Sequence, residues 1–326
     1  MKSKLQYLAT FALAILAIGC TQSPTGTKAN PFRIMFIPYV ESQTITYHTQ
    51  SLVKFLETRL SQKMLGTDEG FYIKAAIPTS YIAVVEAFGT KRADLSSMTT
   101  FSYILTRDIK KYPVEAILSV DRDPDGMVYR GAIIARADSP IKKIEDLEGK
   151  RFAYSDPAST SGFILPAKLF KDKKINLAET VFAGRHDSVV MMVHQKQVDA
   201  GAIYYSSPEQ RIVDGKNVAF IRDARSMVLT QIPDVEKKIK IIGFTQEVTN
   251  EPWVLRANIY DDPKDQARLK KAVQESIMEF VKTEDGKVLM QKLVRAEKVV
   301  PVSDSDYDGV RQILIDLEID STKLVK

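Results

Sequence analysis

The chain has 326 residues, of which 44% are apolar and 27% charged. That is too long for one small core, comfortable for two lobes, and average for a globular chain, which excludes a polytopic membrane protein, a disordered tail and a collagen-like fibre. Lys plus Arg number 46 against 41 Asp plus Glu, a formal charge of +5; the basic residues are scattered rather than striped, so no nucleic-acid footprint is present. Cys20 is the sole cysteine, which rules out a disulfide within the chain and a Cys₄ zinc site.

In chain order, Lys2 and Lys4 open a leader whose apolar run, 8–18, is too short to span a bilayer as a helix. Gly19 followed by Cys20 resembles the lipobox of bacterial lipoproteins, with residues 1–19 as the signal peptide and Cys20 as the lipidation site. An ordinary secretory leader ending near a cysteine is the plainer alternative. The place of the only cysteine favours the lipobox. Residues 20–31 are small, polar and turn-rich, the composition of a flexible tether. The working part then faces the periplasmic or extracytoplasmic space.

From Pro31 the sequence alternates β-branched runs with amphipathic stretches. Strands are predicted at 33–37, 71–77, 93–97, 114–120 and 128–136, with helices at 44–60, 80–88 and 103–109 between them. A second series follows the Asp138-Ser139-Pro140 turn, with strands at 151–155, 180–183 and 200–204 and helices at 163–172 and from Asp187. The C-terminal part reads as three helices, 265–281, 284–294 and 306–317. Alternating strands and helices predict an α/β fold with mostly parallel sheets. Two series imply two lobes: 32–129 plus 253–322, and 130–252. Long strands at 128–136 and 239–257 are the expected crossings. Ligands of open α/β sheets sit beyond the carboxyl ends of strands, where helix N-termini point.

The stretch DPASTSGFILP, 156–166, lies at such a place. Ser159, Thr160 and Ser161 fall at a helix N-terminus, with Gly162 allowing close approach. Hydroxyls, free N–H groups and the positive end of the helix dipole form an oxyanion cradle there without a lysine. Plain capping needs one hydroxyl, and three stand in a row. Pro166 removes a helical hydrogen bond, so this helix is expected to bend early.

These residues resemble the D-P-x-S-T-S-G-x-x-x-P signature of the phosphonate- and phosphite-binding proteins of ABC transporters. GRHDSVVMMVHQKQVDAGA (184–202), TNEPW (249–253) and PVSDSDYDGVR (301–311) are similar to further segments of that family. The resemblance runs from about Phe32 to Leu317 and implies a type II periplasmic-binding-protein fold, two hinged lobes with a ligand cleft between them. It implies that Ser159, Thr160 and Ser161 hold phosphorus-bound oxygens, with Tyr81 closing from the first lobe and Tyr103 beside it. His186 and Asp187 match the family's H-D pair, and Glu251 matches an acidic residue that meets the amine of 2-aminoethylphosphonate. Thr249 and Lys196 replace a proline and a glycine of the pattern. The implied protein is an extracytoplasmic solute-binding lipoprotein, not an enzyme. It captures a small phosphorus oxyanion (phosphonate, phosphite or phosphate) for an ABC permease and ATPase, as a monomer without cofactor or metal and held to the membrane by its lipid.

Bland readings exist for each residue. Tyrosines among apolar neighbours are commonly core, His186 suits an interior position, Asp187 could cap its helix, and Glu251-Pro252 could be a turn. Asp199 reads as structural. A receptor for a sensor kinase or chemoreceptor is the alternative function. An enzyme on the same fold is weaker, because no G-x-S-x-G, Walker or G-x-G-x-x-G motif occurs.

Overall fold

A computed structural model describes residues 24–122, 124–296 and 298–317. The leader and Cys20 lie outside the described residues, and so does the lipidation expectation. In chain order the first segment contains β1 (Phe32–Phe36), α1 (Ser42–Leu60), β2 (Ile73–Ala76), α2 (Tyr81–Gly89), β3 (Leu95–Ser97), α3 (Thr100–Ile104) and β4 (Val114–Asp121). The middle contains β5 (Val128–Arg136), β6 (Arg151–Tyr154), α4 (Leu165–Lys173), β7 (Glu179–Phe182), α5 (His186–His194) and β8 (Ala200–Tyr205). It continues with β9 (Glu209–Val213), β10 (Lys216–Phe220), α6 (Val235–Lys238) and β11 (Ile239–Thr249). The chain closes with β12 (Pro252–Arg256), α7 (Pro263–Phe280), α8 (Glu284–Leu289), β13 (Lys298–Pro301) and α9 (Asp308–Leu317).

Two mixed sheets organise the molecule. The first runs β13-β4-β12-β3-β1-β2 and the second β11-β5-β8-β6-β7. Only β1–β2, β1–β3, β6–β7 and β6–β8 are parallel; β12, β13, β5 and β11 pair antiparallel. The expected mostly parallel sheets are therefore mixed. Strands that carry the chain between sheets enter against the βα direction, and period-2 patterning does not record direction. One sheet is the centre of each lobe. The crossings are the turns between β4 and β5 and at Asn250–Glu251, so the long return strand expected over 239–257 is broken into β11 and β12.

Helical spacing in α1 places Leu52, Leu56 and Leu60 against β1 residues Phe32 and Ile34, with Val273, Ile277 and Phe280 of α7 completing that core. Burying each such side chain contributes about 1.5–3 kcal/mol. The second lobe packs Val189, Val190 and Val193 of α5 on β5 and β8. A Cβ on Gly201 would meet Val189 at 2.4 Å, so α5 approaches β8 only because that residue is glycine. Lys196, where the family pattern has glycine, keeps a left-handed backbone with φ 64°. The hairpin β9–β10 escaped sequence reading; its Asp214-Gly215 turn has φ 50° and 72°, as a two-residue type I′ turn requires.

From Pro24 onward the segment expected as tether is fixed to the first lobe. Tyr72 N donates to Gly26 O at 2.7 Å and Tyr260 Oη to Thr25 O at 3.0 Å. Gly26 has φ 95°, and a Cβ there would sit 2.5 Å from the Phe71 ring. Turn-rich composition signalled loop, but these contacts make it ordered loop.

Candidate functional site

Four helix starts meet where the lobes face each other. In the first lobe Ser80 caps α2, its Oγ accepting from Ala83 N at 3.2 Å, and Thr99 caps α3, accepting from Ser102 N at 3.0 Å. In the second lobe Ser159 accepts from Gly162 N at 3.1 Å, and α5 begins at His186 after Arg185. Thr160–Ile164 form one wide helical turn, in which Ile164 N reaches Ser159 O, before α4 starts with Pro166 in its first turn. Widening the turn ahead of Pro166 is how this helix accommodates a residue without an N–H. Gly162 is obligatory: a Cβ would lie 1.8 Å from Ser155 Oγ and 2.9 Å from His186 Cε1.

The lobes touch along α3. Thr160 Oγ1 accepts from Phe101 N at 2.8 Å, and Ala158 O accepts from Thr99 Oγ1 at 2.8 Å and Ser102 Oγ at 3.0 Å. Asp156 bridges as well, its carboxylate accepting from Ala158 N at 2.8 Å and Tyr81 N at 3.4 Å. Burial pushes the Asp156 carboxyl above its ordinary range.

Beside this contact lies a cavity of about 120 Å³. Its size is close to the roughly 150 Å³ that admits a benzene-sized ligand. Tyr81, Tyr129, Ser161, His186 and Tyr204 line it together with Arg122, Arg222, Glu251 and Arg295. The hydroxyls of Tyr81 and Tyr204 are buried and lack a hydrogen-bond partner. Burial raises the phenols of Tyr81, Tyr129 and Tyr204, so all three remain protonated donors. His186 is 3% exposed, and desolvation pushes its pKa down to about 3. Its Nδ1 accepts from Tyr204 N at 3.3 Å, which leaves Nε2 to carry the ring N–H.

Of the residues expected from sequence, Tyr81, Ser161, His186 and Glu251 line the cavity, and the other four do not. Ser159 caps its helix and Thr160 reaches across to Phe101. Tyr103 points the other way: its Oη donates to Asp304 at 2.7 Å and its ring packs edge-on against Tyr307, with centroids 5.2 Å apart. Burial, and then the Asp304 carboxylate, raise the Tyr103 phenol to about 12. Asp187 is paired with Arg185 Nε at 3.1 Å. Glu251 is held by Arg122 Nη1 at 3.0 Å, so the acidic group expected to meet an amine already has a cation beside it. Asp199 is structural, clamped by Arg151 N at 3.0 Å and Nη2 at 3.1 Å. Sequence reasoning missed Tyr129, Tyr204 and the arginines. Tyr129 and Tyr204 sit on β5 and β8, whose apolar runs signalled only core.

A family model described as "ABC transporter, phosphonate, periplasmic substrate-binding protein" matches residues 34–307. The phosphate-import protein PhnD of Mycolicibacterium smegmatis is 26% identical, over 94% of this chain and 93% of its own. The phosphonates-binding periplasmic protein of Escherichia coli is 24% identical, over 78% and 70%. Among solved structures, PhnD1 of Prochlorococcus marinus in complex with methylphosphonate superposes with TM-score 0.68 at 18% identity, over 88% of this chain and 98% of its own. A phosphonate-transporter binding component from Pseudomonas aeruginosa gives TM-score 0.69 at 17% identity, over 90% and 87%. These structures share the two-lobed type II periplasmic-binding fold. With the model spanning both sheets and all four helix starts, the chain belongs to the periplasmic phosphonate substrate-binding proteins of ABC transporters, a family of transport components rather than enzymes.

Proposed function

We propose that this protein captures a small phosphorus oxyanion (a phosphonate, phosphite or phosphate) between its lobes and delivers it to the permease and ATPase of an ABC importer. The observation that carries this reading is the surplus of donors around the cavity. Tyr81 and Tyr204 present buried hydroxyls without acceptors, Ser161 lies at a helix start, and His186 keeps an N–H. An unmet buried donor costs about 1–3 kcal/mol, and a ligand made of acceptor oxygens removes that cost. The relatives' printed ligands, phosphate, phosphonates and methylphosphonate, are of this kind. Tyr81 and Ser161 contact the oxygens from opposite lobes, while Ser159 and Thr160 set the helix start and the closed contact. Calorimetric titration of phosphite, phosphate, methylphosphonate and 2-aminoethylphosphonate, with sulfate alongside, tests the reading. Saturable binding of at least one phosphorus ligand supports it; heat from none of them overturns it.

The lobes are taken as 32–129 plus 253–322 and as 130–252, hinged at the two crossings, with the protein acting as a monomer tethered through lipid on Cys20. Three supports are the sheet membership of the strands, the position of the single cysteine and the periplasmic relatives. Ligand should lower the radius of gyration in solution scattering. Mass spectrometry of the membrane fraction should find Cys20 acylated; an uncleaved leader would refute the anchor.

A further inference from the structure

We infer that the cavity continues from the helix starts into the apolar interior of the first lobe, so that the preferred ligands are phosphonates bearing a short alkyl chain. This rests on the phosphorus-oxyanion reading above.

Strand register places the extension. Phe36, Ser97 and Trp253 stand side by side on β1, β3 and β12, and Val120 stands beside Val299 on β4 and β13. All of them line the cavity. Trp253 pairs with Leu118, two residues from Val120, so period-2 alternation puts Val120 and Val299 on the same sheet face as Trp253. Ser97 lies two residues before Thr99, the cap of α3. This floor therefore begins beside a helix start and crosses from β3 over β12 and β4 to β13, three strand spacings of about 4.8 Å.

Helices cover that face with apolar side chains. Ile45, Thr49 and Leu52 on one stripe of α1, Ile277 and Phe280 of α7, and Leu293 also line the cavity, and all but Thr49 belong to the first-lobe core. Thr49 Oγ1 donates to Ile45 O of its own helix at 2.8 Å. Tyr39 joins the two regions. Its O accepts from His186 N at 3.4 Å and its Oη donates to Leu293 O at 3.1 Å, so one residue reaches from the start of α5 to the apolar lining.

The charged lining is met by the protein itself. Arg122 pairs with Glu251 at 3.0 Å, and Arg222 donates to Ser207 O at 2.7 Å with Asp125 at 3.8 Å. Arg211 foremost, then Arg222 and Arg295, hold the Glu209 carboxyl below its ordinary range, so Glu209 supplies counter-charge there as well.

An oxyanion held by Tyr81 and Ser161 turns its remaining substituent to the rest of the cavity. The volume of about 120 Å³ is roughly ten times what admits one water, which leaves room for a short chain. Methylenes gain by burial along this floor, whereas an ammonium would lose its water without finding a free acceptor.

Calorimetry of the unmodified protein with methyl-, ethyl-, propyl- and 2-aminoethylphosphonate tests the inference. Each added methylene should tighten binding roughly fourfold. 2-Aminoethylphosphonate matches propylphosphonate in length and should bind at least about tenfold more weakly than it. Thr49→Leu adds apolar volume to the extension and should bring the propyl-to-methyl affinity ratio to near one, with melting temperature confirming that the variant folds. The series on the unmodified protein decides even if that variant does not fold. If methylphosphonate binds but propylphosphonate binds no tighter, if 2-aminoethylphosphonate equals propylphosphonate, or if folded Thr49→Leu keeps the parent's ratio, the apolar extension is refuted while the transport reading stands. If no phosphorus ligand binds, the transport reading fails and this inference falls with it.

Discussion

The helix-start residues and the crossing residues that line the cavity handle charge by opposite means. Around the helix starts the wall is neutral: Ser161, Tyr81, Tyr129 and an uncharged His186, backed by peptide dipoles. At the crossings the wall is ionic, and Arg122 is lashed to Asn250, Glu251 and Val294 O. Dipoles and hydroxyls leave no bare charge when the site is empty, whereas a buried guanidinium without a partner costs several kcal/mol. The neutral residues can therefore stand open through a transport cycle at modest cost. The ionic residues must bring their own counter-charge, and doing so also ties β4 to the Asn250–Glu251 crossing.

The sharpest way to break this contrast is at Arg122, which is 7% exposed. Arg122→Met strands Asn250 and Glu251 and should cost about 3 kcal/mol of stability, because breaking a buried pair leaves an uncompensated charge. Adding Glu251→Gln should restore part of that loss. Denaturant unfolding of both variants decides; a single variant as stable as the parent would mean the ionic residues do not need their pairing.

The neutral residues predict a pH response. The His186 pKa of about 3 in the fold lies below the ordinary 6.5. Its contribution is fully present above pH 6.5 and is lost as pH falls toward 3, because only the unfolded chain takes up the proton. That amounts to about 3 kcal/mol between pH 7 and pH 4. Asp156 works the other way: burial raises its pKa, so the fold gains from it once acid protonates it. His186→Gln isolates the histidine. Its stability should fall less steeply than the parent's on acidification, and parallel curves would refute a neutral buried His186.

Tyr81→Phe sharpens the comparison from the ligand's side. Removing one hydroxyl donor to an anionic oxygen should weaken binding roughly ten- to hundredfold. The empty protein should gain up to about 1 kcal/mol, since a buried hydroxyl without a partner disappears. Loss of affinity together with loss of stability would instead mark Tyr81 as core.

How much of this was legible in the sequence follows the range of the interactions. The βα alternation and the α1 stripe of Leu52, Leu56 and Leu60 are local patterns, and they read directly. So did the Ser159–Ser161 helix start, because strand, glycine and apolar run all lie within a few residues of it. Strand direction did not read, since it depends on where the chain returns. Tyr103 was misplaced because its motif fixes the helix but not the face: the ring turns toward Asp304, 201 residues away. Arg122 and Arg295 had no signature at all. One ends a strand at a crossing and the other ends a helical turn, and Arg122 meets Glu251 across 129 residues of sequence. Only Asp187 offered a missed local clue, an arginine two residues earlier that takes its charge.

The smallest effect separates two neighbours in the motif. Ser159 and Thr160 both carry buried hydroxyls outside the cavity, yet they bond in different directions. Ser159 Oγ stays within its own helix start, accepting from Gly162 N at 3.1 Å, while Thr160 Oγ1 reaches Phe101 N of the opposite lobe at 2.8 Å. Ser159→Ala should cost about 1 kcal/mol of stability, as losing a helix cap does. Thr160→Ala removes a bond that exists only while the lobes are together. It should lower ligand affinity several-fold by destabilising the closed form, a population effect rather than a lost contact to the anion. Scattering at saturating ligand should then show the Thr160→Ala protein less fully compacted than the Ser159→Ala protein. If both variants close equally and Thr160→Ala still binds far more weakly, Thr160 touches the ligand itself, and its hydroxyl turns into the cavity when the anion arrives.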